Sequence, residues 1–398
     1  MSGKKIAVIG AGVVGLSTAI VLRLMNFRVQ IFSSESLQTE TKNPFFASQY
    51  PAASILPHSI EGVQVEELFL PSKKIFHRLL RVSTPGIVHQ KHFEVYTEGQ
   101  PTLPAYTHWM DGFKLLDVKD ESFMPRHPEF PSLTAWSMDM LFANWALYGP
   151  TLQQLCKELE IPTVLEEVAF KSLRRRFPKN NYAAIVLATG TGWGQQNNQN
   201  LSLLRGDLVI AQSQQRPRTP DGELFSYNFN PPLHYYSTNN GCQQDVYCYS
   251  RPGECVLGGS RITGTWSQDN WMGDQPKAYS NDDSLPDPFW KIFTINQEIL
   301  AHSCSMILDL EAIKETKTGY RYLGPQSKVR LEMDATHTQP LIHSYGFGGS
   351  GVSLSWGVAL KSARMLQDSL DPYGLSMDTI AEDIGSKIEH LMPRISKA

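Results

Sequence analysis

Three glycines near the beginning of the chain have the spacing of a phosphate-binding turn. Gly10, Gly12 and Gly15 follow the apolar run Ile6-Ala7-Val8-Ile9 and lead into an apolar stretch with helical character. At this spacing the first glycine makes a tight turn, the second lets the backbone approach a pyrophosphate, and the third lets the helix pack closely on the strand. The diphosphate then meets the free N–H groups at the positive end of the helix dipole. These residues therefore predict the binding of a dinucleotide.

The residues around the glycines supply the structural context that the motif requires. Residues 6–9 show no polar alternation, as expected of a parallel strand buried on both faces, and Val29-Gln30-Ile31-Phe32 provides the second strand of a β-α-β unit. Glu35, slightly late after that strand, is the candidate for binding the ribose. The alternative is a glycine turn in an ordinary α/β domain, because the motif by itself has low specificity.

The composition is that of an ordinary globular protein. The 398 residues provide material for two or three domains, and 36 Lys and Arg nearly balance 39 Asp and Glu. Bulk charge therefore indicates neither a nucleic acid nor an anionic membrane as a partner. The basic run at 174–176 precedes the turn at 178–181, and we expect it to form a solvated hairpin.

The cysteines and the two ends of the chain indicate the cellular compartment of the protein. Five cysteines, at 156, 242, 248, 255 and 304, show no CxxC or Cys/His spacing, so we expect reduced thiols, no disulfide framework and no metal site. No apolar stretch is long enough to span a bilayer, and the predicted fold begins within a few residues of Met1. The ending Ser396-Lys397-Ala398 differs from the peroxisomal Ser-Lys-Leu signal at its last residue. We therefore expect a cytoplasmic protein.

The first half of the chain contains several further segments. Small residues at 45–57 are bounded by prolines and suit a backbone that comes close to a flat ligand. Residues 60–140 are aromatic and rich in proline, which predicts a separate lobe with long loops. Helical spacing covers 141–159, and 162–170 is typical of a strand. Residues 183–187 predict a buried strand ending in Ala-Thr-Gly, as at the carboxyl edge of a parallel sheet where cofactors bind.

A second glycine cluster lies near the C-terminus. Residues 205–310 predict short β segments, and the chain then reaches Gly346, Gly348 and Gly351, followed by helical spacing over 352–370. These glycines also fit G-x-G-x-x-G, but no further strand with an acidic end follows them. We therefore interpret them as a loop that delivers a helix N-terminus to the cofactor bound by the first motif.

The three motifs at 6–17, 183–193 and 341–357 are similar in layout to those of FAD-dependent amine oxidases. Within that superfamily the chain resembles the D-amino-acid oxidase and D-aspartate oxidase family, although 60–140 matches only loosely. Further matching segments are Ala52-Ala-Ser-Ile-Leu-Pro57, Tyr247-Cys-Tyr-Ser-Arg-Pro-Gly253, Leu257-Gly-Gly259, Gly319-Tyr-Arg321, Val329-Arg-Leu-Glu332, Ile342-His-Ser-Tyr-Gly-Phe-Gly-Gly-Ser-Gly351 and Trp356-Gly-Val-Ala-Leu360.

The resemblance implies an α/β fold with two lobes. A Rossmann-type FAD-binding domain, with a parallel sheet and helices, would comprise 1–60, 141–205 and 311–398. A substrate-binding domain with a mixed or antiparallel sheet would comprise 61–140 and 206–310. The FAD would be held non-covalently. The implied cofactor-binding residues are Gly10, Ala11, Gly12, Val13, Val14, Gly15, Glu35, Ala53, Ser54, Ile55, Val168, Thr189, Gly190, Gly348, Gly349, Ser350, Gly351 and Val352.

The resemblance also implies an activity, the oxidative deamination of a D-amino acid. A hydride would pass from Cα to flavin N5, dioxygen would be the electron acceptor, and the products would be a 2-oxo acid, ammonia and hydrogen peroxide. Arg321 would hold the substrate carboxylate through its planar fork, and Gly349 would offer its carbonyl to the amine. Tyr247 would add a hydroxyl to the carboxylate, with Tyr249 on the same strand face as a rival.

The chain departs from the family at one position, and this leaves alternatives open. The family has a second active-site tyrosine four residues before the first, where this chain has Gln243, so Tyr235 or Tyr236 is the substitute candidate. His58, His234 and His343 are further acid/base candidates, although such histidines are usually structural. The alternative functions are oxidation of glycine, sarcosine or an unusual secondary amine, or non-catalytic FAD binding. The expected partner is a small amino acid or amine, and a homo-oligomer is left open.

Overall fold

The computed structural model divides the chain into two compact units. Unit 1 comprises Met1–Val88, Leu141–Ser202 and Arg321–Ala398, and unit 2 comprises His89–Met140 and Leu203–Tyr320. The structure describes residues 3–35, 43–50, 53–58, 60, 63–99, 102–119, 123–192, 201–232, 235, 246–267, 270–273, 288–324, 329–334, 338–370 and 377–395.

The helices and strands alternate along most of the described chain. The helices are α1 Val13–Leu24, α2 Val63–Arg81, α3 Trp145–Glu158, α4 Leu173–Arg176, α5 Phe289–Cys304, α6 Gly351–Leu370 and α7 Met377–Ile395. The strands are β1 Lys5–Ile9, β2 Arg28–Ser33, β3 Ala53–Ser54, β4 Ile87–Tyr96, β5 Asp111–Leu116, β6 Thr134–Ala143, β7 Thr163–Leu165, β8 Ala184–Leu187, β9 Leu201–Gln212, β10 Phe225–Asn230, β11 Val246–Arg251, β12 Glu254–Gly258, β13 Ile262–Ser267, β14 Asn270–Gly273, β15 Ile313–Tyr322, β16 Arg330–Met333 and β17 Leu341–Tyr345.

Unit 1 is built on a six-stranded sheet of order β16-β17-β8-β1-β2-β7. All neighbouring strands are parallel except the edge strand β16, which runs antiparallel to β17. Residues Ile6–Ile9 of β1 and all of β8 are buried, as expected of central parallel strands covered on both faces. The β-α-β unit predicted from 6–32 and the strand predicted over 183–187 are both present.

The helices of unit 1 pack where small residues permit close approach. A Cβ built on Gly357 of α6 would lie 1.8 Å from the carbonyl oxygen of Leu68, so α2 and α6 are in contact at a position that only glycine allows. The indole N–H of Trp356 donates to the Tyr148 hydroxyl of α3 at 2.9 Å, and both side chains are fully buried. Helices α2 and α3 thus both pack on α6.

Unit 2 contains the larger sheet. Its strands follow the order β14-β13-β9-β12-β11-β10-β4-β6, with β15 paired to β9 and β5 paired to β6. Most of the pairs are antiparallel, whereas β10 and β4 are parallel. Helix α5 contributes Ile292, Phe293, Ile295 and Ile299 to an apolar core with one face of this sheet. Unit 2 therefore has a mixed sheet.

The unit boundaries differ from the predicted domain boundaries at three places. Residues 61–88, predicted in the substrate domain, lie in unit 1, because α2 packs on α6. Residues 311–320 and 203–205, predicted in the FAD domain, lie in unit 2, because β15 and β9 pair with each other there.

Several local predictions were wrong. The helix predicted from 141 begins only at 145, because β6 continues to Ala143 and the Asn144 side chain caps α3 by accepting from the Ala146 N–H at 3.2 Å. The strand predicted over 162–170 covers only Thr163–Leu165. The predicted hairpin at 174–176 is a short helix, in which Arg176 pairs with Glu166 at 2.7 Å. Helices α2 and α5 occur where β segments and loops were expected.

Candidate FAD site and neighbouring residues

The carboxyl ends of β1, β2 and β8 open into a cavity of about 530 Å³ within unit 1. This is the edge of a parallel sheet at which ligands bind in open α/β folds. Eleven of the predicted cofactor-binding residues line the cavity, although they come from five separate stretches of sequence. They are Gly10, Ala11, Gly12, Val13, Val14, Glu35, Val168, Thr189, Gly190, Gly348 and Gly351.

The first and third glycines of the turn are required by the fold itself. Gly10 has φ +112°, and a Cβ there would lie 2.2 Å from the carbonyl oxygen of Ala188. A Cβ on Gly15 would lie 1.9 Å from the carbonyl oxygen of Gly10. Gly15 does not line the cavity, so the predicted role in close helix packing describes it better than ligand contact.

The N-terminus of α1 faces the cavity without an anionic group of its own. Gly12 occupies the cap position with no side-chain cap hydrogen bond, and the first turn contains no acidic residue. The Val13 N–H donates to the Ser48 hydroxyl at 3.0 Å, and Ser48 also lines the cavity. Ser48 was not among the predicted site residues, because one serine in a run of small residues carries no distinct signal.

Glu35 lines the cavity just after β2. Its backbone is held by Ser33, whose hydroxyl donates to the Glu35 carbonyl at 2.7 Å. One carboxylate oxygen accepts from the side-chain amide of Asn43 at 3.0 Å. This hydrogen bond from Ser33 turns the chain after β2, which explains how Glu35, two residues beyond the strand, still lies at the edge of the sheet.

The second glycine turn lies beside the strand end that carries Arg321. Gly346 and Gly348 have φ +83° and +52°, so both adopt the left-handed region that favours glycine. The Gly348 N–H donates to the Tyr322 carbonyl at 2.9 Å, and Tyr322 lines the cavity. Arg321 is half-buried and immediately precedes Tyr322. The structure therefore places Arg321 next to the cavity-lining residues.

The remaining predicted cofactor residues do not line the cavity. Ser353, one residue after Val352, donates its hydroxyl to the Ser54 carbonyl at 3.0 Å and accepts from the Leu56 N–H at 3.1 Å. These bonds join the 53–56 segment, with Ala53 and Ile55, to the beginning of α6. Ser350 is buried, whereas Gly349 is exposed at the turn.

The residues of the cavity fit an FAD. The α1 N-terminus offers the positive end of its dipole and backbone N–H groups beyond that of Val13 to a diphosphate. A Cβ on Gly12 would lie 3.0 Å from the Ser48 hydroxyl and 3.7 Å from the Phe46 ring, so this approach to the helix is open only without a side chain. Glu35 supplies the acidic group expected for a ribose. Within the described residues no cluster of metal-ligating side chains was found.

The histidines considered as acid/base candidates differ in burial. His343 is buried in β17, where its Nδ1 lies 2.8 Å from the Tyr345 hydroxyl. Burial and then the charge of Arg330 lower the pKa of His343, which keeps its ring neutral. His58 is half-buried in a loop. His234, Tyr236 and Gln243 lie outside the described residues, while Tyr235 packs edge-on against Phe130 in unit 2.

The two tyrosine candidates lie side by side on β11 in unit 2. Their ring centroids are 4.9 Å apart, Tyr247 is half-buried, and Tyr249 is buried. The Tyr249 hydroxyl donates to the side-chain oxygen of Asn228 at 2.9 Å. The two residues share a strand face, as alternation predicts, and Tyr249 is the more deeply buried of the two.

Comparison with known proteins agrees with this geometry. The family described as FAD dependent oxidoreductase matches residues 5–365, which is nearly the whole chain. The chain belongs to this family. It is therefore an FAD-dependent oxidoreductase, and the cofactor and the fold class expected from the sequence are confirmed. Among the described residues no helix has the length and apolar character needed to cross a membrane.

Two characterised relatives bear on the resemblance found in the motifs. A D-amino-acid oxidase of Rubrobacter xylanophilus is 24% identical over 381 residues, covering 92% of this chain and 97% of that protein. A D-aspartate oxidase of Homo sapiens is 23% identical over 382 residues, covering 92% of this chain and 96% of that protein. The resemblance is thus confirmed, at low identity, along most of the length.

Solved structures show the same fold. The L-proline dehydrogenase from P. horikoshii superposes with a TM-score of 0.62 at 12% identity, covering 98% of each chain. The glycine oxidase from Geobacillus kaustophilus gives a TM-score of 0.59 at 15% identity, covering 94% of this chain and 99% of that one. At such identities these likenesses establish the fold alone.

Proposed function

We propose that this FAD-dependent oxidoreductase oxidises a D-amino acid to a 2-oxo acid and ammonia. Dioxygen, the proposed acceptor, would be reduced to hydrogen peroxide, and one water would be consumed in releasing the ammonia. The support comes from the motif resemblance together with the two relatives, one named D-amino-acid oxidase and one named D-aspartate oxidase. FAD, when bound, supplies the two-electron acceptor for the amino acid.

The observation that carries the proposal is the position of Arg321. Its strand end is hydrogen-bonded to the glycine turn through the Gly348 N–H and the Tyr322 carbonyl, and an additional bridge joins Leu323 to Phe347. These contacts fix the backbone next to Arg321, and a guanidinium can bind a carboxylate by two parallel hydrogen bonds. We propose that Arg321 anchors the substrate carboxylate in this way and thereby orients Cα.

The remaining roles rest on the resemblance. Tyr247 is proposed as a second donor to the substrate carboxylate, and the carbonyl of Gly349, an exposed residue, as an acceptor for the amine. The resemblance assigns the backbone N–H groups from Gly348 to Val352 to the flavin, but those of Gly348 and Ser350 donate to the carbonyls of Tyr322 and Phe347. We therefore propose that the N–H groups of Gly349, Gly351 and Val352 face the flavin, where the start of α6 provides positive dipole. The non-covalent attachment of FAD is likewise part of the proposal.

Anaerobic reduction of the bound flavin tests the proposed reaction directly. The holoenzyme is mixed with D-amino acids, their L-isomers, glycine and sarcosine, and bleaching of the flavin absorbance reports the electron donor. We expect selective bleaching by one or more D-amino acids. Bleaching by glycine or sarcosine alone would identify the alternative amine oxidase activity, and no bleaching by any of them would contradict an amino-acid oxidase.

Substitution of Arg321 tests the anchor. Arg321→Ala removes a charge-assisted contact worth roughly 1.5–3 kcal/mol, so we expect the substrate Kd to rise at least about tenfold. Arg321→Lys keeps the charge but loses the fork, and we expect an intermediate effect. Flavin content and unfolding temperature serve as controls for both variants. An unchanged Kd in Arg321→Ala would show that the carboxylate is bound elsewhere.

A further inference from the structure

A set of buried polar side chains lies on one face of the unit 2 sheet. We call it the polar ladder and define it as Gln90, His92 and Glu94 of β4, Ser226 and Asn228 of β10, and Tyr249 of β11. Alternate residues of a strand share a face, and the register pairs Ser226 with His92 and Asn228 with Glu94. All six are at most 5% exposed. Polar groups buried so deeply need a consistent set of donors and acceptors.

The chemistry of the ladder fixes the direction of its hydrogen bonds. One Glu94 oxygen receives the Asn228 side-chain N–H at 2.8 Å and lies 3.3 Å from the His92 ring nitrogen Nε2. Because the amide nitrogen of Asn228 faces this acceptor, its oxygen faces the other way. That oxygen accepts from the Tyr249 hydroxyl at 2.9 Å. A tyrosine has a single hydroxyl hydrogen, so the hydrogen of Tyr249 is used within the ladder.

The Tyr249 ring has aromatic neighbours in the ladder and on its own strand. It lies parallel to the His92 ring, with an interplanar angle of 6° and a centroid distance of 6.2 Å. The Tyr247 ring lies at a centroid distance of 4.9 Å from it. Tyr247 in turn lies on the backbone of β12, where a Cβ on Gly258 would come within 1.9 Å of its ring. Tyr247 is therefore enclosed between a fixed aromatic ring and a glycine backbone.

We infer that Tyr249 is a positioning residue for Tyr247, and that Glu94 and Asn228 hold Tyr249 in that role. Because its hydroxyl hydrogen is used by Asn228, Tyr249 would act on the substrate through Tyr247 rather than by its own hydroxyl. This inference rests on the proposed function, specifically on Tyr247 as a carboxylate donor. It removes the ambiguity between two tyrosines that the sequence leaves on one strand face.

Single Tyr→Phe changes test the inference, because each removes only a hydroxyl. The substrate Kd and the limiting rate of flavin reduction are measured separately by rapid mixing with D-alanine, D-aspartate and glycine. For whichever probe reduces the wild type, we expect Tyr247→Phe to raise Kd at least about tenfold, because it removes a hydrogen bond to a charged carboxylate. We expect Tyr249→Phe to raise Kd about threefold, because it removes a neutral hydrogen bond that acts only through Tyr247. The double variant should match Tyr247→Phe, because Tyr249 acts through Tyr247.

Tyr227→Phe is the matched control. Tyr227 is fully buried on β10 and also donates to an asparagine, Asn296, at 2.8 Å, but it faces the α5 core. Removing the Tyr227 hydroxyl should lower the unfolding temperature about as much as Tyr249→Phe does, and it should leave the substrate Kd unchanged. If Tyr249→Phe likewise changed only the unfolding temperature, its role would be structural and the inference would be overturned.

Other outcomes separate this inference from the proposed function. Equal, multiplicative effects of Tyr247→Phe and Tyr249→Phe would make Tyr249 a direct ligand and overturn the inference alone. No effect of Tyr247→Phe on Kd, or no reduction of the wild type by any probe, would overturn the proposed function and the inference with it.

Glu94→Gln provides a second variant of nearly the same shape. A glutamine amide carries both donors and acceptors, so the Asn228 amide is no longer held in one orientation. We expect Kd to rise to the level of Tyr249→Phe, with the limiting rate much less affected. A wild-type Kd in this variant would contradict the role of Glu94 in holding Tyr249.

Discussion

The cavity of unit 1 and the polar ladder of unit 2 are constructed in opposite ways. Glycines and other small residues contribute much of the cavity wall, and at Gly10 a Cβ would collide with a carbonyl oxygen. The ladder consists of side chains from three strands, of which β4 is far in sequence from β10 and β11, and these side chains are joined by directed hydrogen bonds. The backbone at Gly10 leaves no room for an added methyl group, whereas the ladder loses one contact at a time when a single side chain is changed.

Gly10→Ala should produce the largest effect and test the backbone side of this comparison. The added methyl would lie 2.2 Å from a backbone oxygen, and φ +112° is unfavourable for alanine. We expect a loss of about 3 kcal/mol or more in the free energy of unfolding. Denaturant unfolding followed by circular dichroism measures it, with Gly99→Ala, an exposed turn position where a Cβ meets nothing within 4 Å, as the control for a positive φ alone. Equal losses in both variants would show that the close contact is unimportant.

Gly12→Val should remove FAD rather than the fold. The backbone at Gly12, with φ −68° and ψ 179°, is open to valine, so the side chain acts by occupying the approach to the α1 N-terminus. We expect at least about 100-fold weaker FAD binding, or about 2.7 kcal/mol, measured by titrating apoprotein. The apoprotein should unfold at nearly the wild-type denaturant concentration. Stoichiometric FAD with wild-type affinity would place the diphosphate elsewhere.

Glu94→Ala should cause a smaller loss confined to the ladder. It leaves the Asn228 amide and the His92 ring without a common acceptor at a fully buried position. We expect about 1–3 kcal/mol less stability, with FAD affinity unchanged. Isothermal titration measures the FAD affinity and urea unfolding measures the stability, so the two effects are determined separately. A loss of FAD affinity comparable to that in Gly12→Val would break the distinction between the two regions.

The smallest effect concerns pH and is shared by both units. Burial lowers the pKa of His343 in unit 1 and of His127 in unit 2, where Glu298 opposes the shift. The unfolded chain, with a histidine pKa of about 6.5, therefore takes up protons below that pH before the native protein does. Stability should fall as pH drops below 6.5 and level off below the native pKa values. Urea unfolding at pH 7.5 and 5.5 should show a smaller drop in His343→Gln and His127→Gln than in wild type.

The elements that depend on residues near one another in sequence were the ones predicted correctly. The first β-α-β unit, the strand at 184–187 and the helix from 351 were all predictable, because apolar runs and glycine spacing act within about 30 residues. The helix predicted over 141–159 is present, but its start was placed four residues early because Asn144 is a cap, a signal lost within a continuous apolar pattern. Helix α2 was missed because Pro71 and the surrounding polar residues obscured its amphipathic spacing.

The sequence by itself determined that β1, the glycine turn at 10–15 and α1 follow one another, because Gly15 must pack against Gly10 within that turn. Dinucleotide binding through Gly10, Gly12 and Gly15 stays a prediction. Tertiary structure alone decided that Ser48 caps α1 and that the Arg321 strand end is bonded to the second glycine turn. It also decided that the Tyr249 hydroxyl is used by Asn228. These contacts join residues that are 21 to 35 positions apart, and the contact between Glu94 and Asn228 spans 134 positions. Sequence patterns do not show which residues pair at such separations.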